Sequence, residues 1–132
     1  MLTGGCFCGK LRYEVPGAPF YSTICHCVDC RRASGAPLVA WFTVKQSEFR
    51  FVLGAPASFA SSAPVLRAFC ADCGTPLTYR HNDRPDEIDI TTCSLDEPEW
   101  VPPMHHTWIA QTLPWIHVSD SLPKYSDGET GS

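Results

Sequence analysis

Gly4-Gly5-Cys6-Phe7-Cys8-Gly9, near the start of the chain, and Phe69-Cys70-Ala71-Asp72-Cys73-Gly74, near its middle, hold two cysteine pairs, each followed by a glycine. Between them lies Cys25-His26-Cys27-Val28-Asp29-Cys30, so seven of the eight cysteines stand in three tight groups. This spacing suits a metal, because a short knuckle of backbone turns both sulfurs inward onto one ion about 2.3 Å from each. Disulfides have no need of such clustering. Met1 to Gly5 shows neither the basic nor the apolar segment of a secretory leader. The expected location is therefore the cytoplasm, where thiols stay reduced and paired cysteines hold metal rather than each other.

At 132 residues the chain reads as one domain, large enough to bury about two-thirds of its unfolded surface without staples. Twelve prolines and nine glycines leave little room for long helices, and the expected fold class is mainly β. The net charge is −4, and metal-bound thiolates would deepen it, which excludes nucleic acid as a partner. No apolar run approaches the roughly 18 residues that span a bilayer, so no membrane role is expected.

Leu11, Tyr13 and Val15 alternate with Arg12 and Glu14, the period-two pattern of a strand with one wet face. Further strands are predicted at Tyr21 to Ile24, Leu38 to Val44, Phe49 to Leu53, Ser58 to Ala60, Val65 to Phe69, Pro76 to Arg80, Glu87 to Thr92 and His106 to Ala110. One helical turn is predicted from Asp29 to Ala33, ending at Gly35. Ser126 to Ser132 is small and polar and reads as a disordered tail behind a domain spanning 1–125.

The three cysteine segments, with Arg31-Arg32-Ala33-Ser34-Gly35, Thr75-Pro76-Leu77, Ile88-Asp89-Ile90, Ser94-Leu95-Asp96, His106-Thr107-Trp108, Leu113-Pro114-Trp115 and Leu122-Pro123-Lys124-Tyr125, resemble the glutathione-dependent formaldehyde-activating enzyme family over nearly the whole chain. The resemblance implies an Mss4-like fold, a twisted β-structure carrying zinc knuckles. It also implies a carbon–sulfur lyase or synthase that joins an aldehyde to glutathione or another small thiol, as in S-(hydroxymethyl)glutathione formation. Fold alone does not choose the substrate.

The resemblance further implies how the cysteines divide. Cys6, Cys8, Cys70 and Cys73 would complete a closed S₄ shell around a structural zinc. Cys25, Cys27 and Cys30 would hold a second, catalytic zinc with one position open to water or an incoming thiol. Two zinc ions per chain are thus expected, although S₄ sites accept iron as well. A second structural site completed by another residue is the competing reading of the triple cluster.

His26 alternates with Cys25 and Cys27 in an extended segment and so points away from them. Its role is either substrate-facing or that of a satisfied structural histidine. Arg31 and Arg32 suit the carboxylates of a glutathione-like tripeptide, and equally suit simple charge balance beside anionic thiolates. Trp108 is a candidate wall of the substrate pocket, with Trp115 beside it in the family-like segment. Cys93, where family members commonly show glycine, has no sequence neighbour; it reads as packing, a zinc ligand or a reactive thiol. Two other functions therefore stay open: a thiol redox enzyme using Cys93, and a zinc-stapled binding or chaperone module using Trp100 to Pro103.

Overall fold

The computed structural model describes residues 1–128, and among them forms ten strands in two sheets with one α-helix. The smaller sheet has the order β1 (Leu2–Gly5), β2 (Arg12–Val15), β5 (Arg50–Leu53). The larger has seven strands in the order β10 (His105–Thr107), β3 (Tyr21–Cys25), β4 (Val39–Lys45), β9 (Glu87–Thr91), β8 (Pro76–His81), β7 (Val65–Phe69), β6 (Ala57–Ser62). Every pairing is antiparallel except β10 with β3. The mainly β expectation therefore holds.

The period-two pattern divides the large sheet. Phe42 and Val44 on β4 sit opposite Ile90 and Ile88 on β9. All four are buried in a core with Tyr13 and Val15 of β2, Leu77 and Leu95. The alternate positions give a different row: Tyr21 pairs with Thr43, Thr43 with Asp89, Asp89 with Tyr79, and Tyr79 with Arg67. The row crosses five strands, from β3 to β7, and forms the floor of the cleft described below.

Two local outcomes differ from the sequence reading. β1 was not expected, because Leu2-Thr3-Gly4-Gly5 has no alternating pattern; it exists by pairing with β2, Leu2 opposite Val15 and Gly5 opposite Arg12. The last strand ends at Thr107 rather than Ala110, because Trp108 takes a left-handed backbone (φ 58°) and opens the 3-10 turn Ile109–Gln111. Of the tail expected over 126–132, the carbonyls of Ser126 and Asp127 accept bonds from the amides of Ala110 and Trp108 (3.2 and 2.9 Å). Residues 129–132 lie outside the described residues.

Candidate metal and substrate site

The closed group is built from two similar knuckles. In the first, Gly9 donates its amide to the Cys6 carbonyl; in the second, Gly74 donates to the Cys70 carbonyl (3.2 and 2.8 Å). Gly9 and Gly74 have φ of 81° and 82°, a region open to glycine and strained for other residues. A Cβ at either position would meet nothing within 4 Å, so the requirement is conformational rather than steric. Thr75 joins the knuckles: its Oγ1 accepts the Phe7 amide (3.0 Å) and lies 3.2 Å from Cys73 Sγ. That hydroxyl, with the amides of Thr75 and Cys8, draws the Cys73 thiol down to about 5.

The four sulfurs of Cys6, Cys8, Cys70 and Cys73 lie within 4.8 Å of one another. Four sulfurs about 2.3 Å from a common centre in a tetrahedron stand about 3.8 Å apart. Cys6 to Cys8 is 3.5 Å and Cys8 to Cys70 is 3.8 Å, so the group fits a metal of that kind.

The second group is Cys25, Cys27 and Cys30, also within 4.8 Å of one another, and no fourth His, Cys, Asp or Glu ligand atom joins it among the described residues. Cys25 ends β3, while Cys27 caps α1 (Val28–Ser34), its sulfur accepting the Cys30 amide at 3.2 Å. The helix closes on Gly35, as the sequence predicts. Hydrogen bonds from the Cys25 and Cys30 thiols, with the amides of Cys30 and Asp29, pull Cys27 down to about 2. Cys25 is pushed up because it gives those bonds and is buried. Cys30 receives a bond from Cys25, but donation to Cys27 together with burial holds it up at about 11. These bonds favour the thiolate form at Cys27 over its two neighbours. Such a donor set, three convergent thiols, suits a thiophilic metal ion.

A cleft of about 920 Å³ opens over this group. Cys25, Cys27 and Cys30 line one end; Thr43, Asp89, Tyr79 and Arg67 form part of its floor, and Trp108 lines its wall. Thr43 Oγ1 donates to Asp89 Oδ1 (2.6 Å), and Arg84 approaches the same carboxylate at 3.8 Å. Burial pushes the Asp89 carboxyl and the Tyr79 phenol up.

The sequence-predicted site residues separate in space. Trp108 lines the cleft, but His26, Arg31 and Arg32 do not. His26 is fully buried, with Nε2 3.0 Å from Nδ1 of His106, which in turn meets Asp120 at 2.9 Å. Its ring therefore faces its histidine partner, and burial holds it below the ordinary histidine range. Arg31 and Arg32 follow Cys30 on α1 and are carried off the cleft face by the helix, so Arg67 and Arg84 are the cleft's guanidinium groups instead. The sequence signal for Arg67, Tyr79 and Asp89 was present: each is a polar or amphipathic residue at an alternate strand position. Asp89 lies between Ile88 and Ile90, on the face opposite the core.

Trp115 is exposed and outside the cleft, and Cys93 is exposed on the 3-10 turn Thr92–Ser94, also outside it. Trp100, exposed, lines a second hollow of about 480 Å³ with Met104 and Met1.

The fold and site together define a class: small β-proteins whose clustered thiols, four closed and three beside a cleft, could hold metal ions. A model of the family described as glutathione-dependent formaldehyde-activating enzyme matches residues 1–111, and the chain belongs to that family. A crystal structure of a Rhodobacter sphaeroides protein is similar at a TM-score of 0.59 and 21% identity, covering 93% of this chain and 98% of that one, a likeness of fold. No helix among the described residues is long and apolar enough to cross a membrane.

Proposed function

We propose that the protein is a zinc-dependent carbon–sulfur lyase or synthase acting in the cytoplasm on the adduct of an aldehyde with glutathione or another small thiol. The observation that carries this reading is the three-thiol group at the end of a cleft, set against a four-thiol group that is complete. Zinc held by Cys25, Cys27 and Cys30 would supply Lewis acidity to an incoming thiol or carbonyl oxygen. Zinc held by Cys6, Cys8, Cys70 and Cys73 would be structural. The chain's own residues do the positioning. Cys25 is opposite Val39 and Tyr21 opposite Thr43, so Thr43 and Asp89 lie four residues, about 13 Å, along the strands from the thiols, while the Tyr79 side chain packs against the Cys25 and Cys30 cluster. That length suits an extended tripeptide thiol, with Arg67 available for a carboxylate and Trp108 covering one side.

The test is Cys27→Ser, with thiol titration of the cobalt-substituted protein. The variant is expected to stay folded, to fall from two metal ions per chain toward one, and to lose thiol-dependent turnover. In the unmodified protein, glutathione is expected to alter the cobalt spectrum. A Cys27→Ser protein with two metals and full turnover of a hydroxymethyl thiol would sink the proposal.

A further inference from the structure

We propose that Tyr79 is a catalytic residue, whose hydroxyl donates a hydrogen bond to the aldehyde-derived oxygen as the carbon–sulfur bond forms or breaks; this role rests on the function proposed above. Four observations converge on it. Tyr79 lines the same cleft as Cys25, Cys27 and Cys30 and packs against the cluster of Cys25, Cys30, Val39 and Trp41. Its ring lies edge-on to Trp41 with centroids 6.0 Å apart, and the Arg67 guanidinium stands over the ring itself, 4.9 Å from the centroid. The ring is therefore held in place by neighbours that leave its hydroxyl unused: among the described residues Tyr79 Oη has no hydrogen-bond partner. Finally, the half-buried residue is neither sealed into the core nor swung into solvent.

The Thr43 hydroxyl, the Arg84 guanidinium and the Arg67 Nε are already engaged, while the terminal nitrogens of Arg67 are left for a carboxylate. Thr43 is bonded to Asp89, Arg84 to Glu87 at 3.1 Å, and the Arg67 Nε to Ser61 Oγ at 3.1 Å. A phenol is a donor throughout the neutral range, and a fixed donor in a partly dry site stabilises charge where it develops, without reorganising.

The chemistry balances with no further reagent. In the synthetic direction the thiol has already lost its proton to solvent. Its sulfur lone pair forms the C–S bond, the carbonyl π pair moves to oxygen, and that oxygen takes a proton from water. Tyr79 keeps its own proton and steadies the oxygen between those events. The reverse order releases aldehyde and thiolate.

The test is Tyr79→Phe in the metal-loaded protein, with glutathione and formaldehyde as the probes and adduct exchange followed by NMR. Phenylalanine keeps the ring against Trp41 and Arg67, so the melting temperature and the glutathione-dependent cobalt spectrum should match the unmodified protein. The expected result is a kcat lower by about 10²–10³-fold, the usual effect of removing one such donor, with KM for glutathione unchanged. Unchanged kcat overturns the role. A rise in KM with loss of the cobalt response also overturns it, showing that Tyr79 shapes the thiol pocket instead. If the unmodified protein gives no exchange above the uncatalysed rate, the function fails first and takes this role with it.

Discussion

Cys8→Ser isolates what the four-thiol group contributes to stability, because Cys8 is exposed and its replacement removes no core packing. Cys70 is 1% exposed and sits in the core with Tyr13 and Leu77, so its loss would mix two effects. A metal bridging Cys8 and Cys70 closes a loop between residues 62 apart. The chain-entropy relation for a cross-link of that span gives about 4 kcal/mol at 25 °C. Unfolding entropy near the midpoint is roughly 2.1 cal/mol/K per residue, so over 132 residues the melting temperature should fall by about 15 °C. The same relation applied to the span from Cys25 to Cys30 gives about half as much for Cys27→Ser. Thermal unfolding followed by circular dichroism, with metal analysis of each variant, makes the comparison. A strong chelator should lower the unmodified protein at least as far as Cys8→Ser does. A Cys8→Ser protein with the parent's melting temperature and metal content refutes the reasoning, as does a fall no larger than that of Cys27→Ser.

Asp89→Asn is expected to melt a few degrees higher at neutral pH. Burial raises the folded-state pKa of Asp89, so stability is lost as pH climbs from the ordinary carboxylate range through the raised value. The gain should vanish near pH 3, where both forms are neutral; a lower melting temperature at pH 7 would contradict it. Gly4→Ala should destabilise by about 1–3 kcal/mol, because its Cβ would press on the buried Tyr13 ring and come within 2.5 Å of the Ser94 carbonyl oxygen. Urea titration with an unchanged midpoint would show that β1 can shift aside.

Legibility in the sequence followed local chemistry. The cysteine spacings foretold metal-type clustering and the family resemblance its division into four and three, while alternation foretold β2 and short apolar runs between turn residues foretold β4, β7 and β9, because those strand signals are complete within a few residues. β1 was invisible because its pairing partner, not its own residues, makes it a strand. The alternation that turns His26 from Cys25 and Cys27 is local, but its histidine partner stands 80 residues away and no local pattern announces it. Arg31 and Arg32 were adjacent to the three-thiol group in sequence but not in the cleft, since one helical turn separates chain proximity from direction. Alternation marked the face of Arg67, Tyr79 and Asp89, but bringing them into one row needed the strand order β7, β8, β9, which only the assembled sheet supplies.

The floor of the cleft and the hydrophobic core share the same strands but not the same residues. Thr43 lies between Phe42 and Val44, and Asp89 between Ile88 and Ile90; the intervening residues carry the packing. A change at 43, 67, 79 or 89 alters the lining of the cleft and leaves the packed row at 42, 44, 88 and 90 unchanged. Under the function proposed above, selectivity is retuned one floor position at a time. A library randomised at those four positions should retain far more folded members than one randomised at 42, 44, 88 and 90.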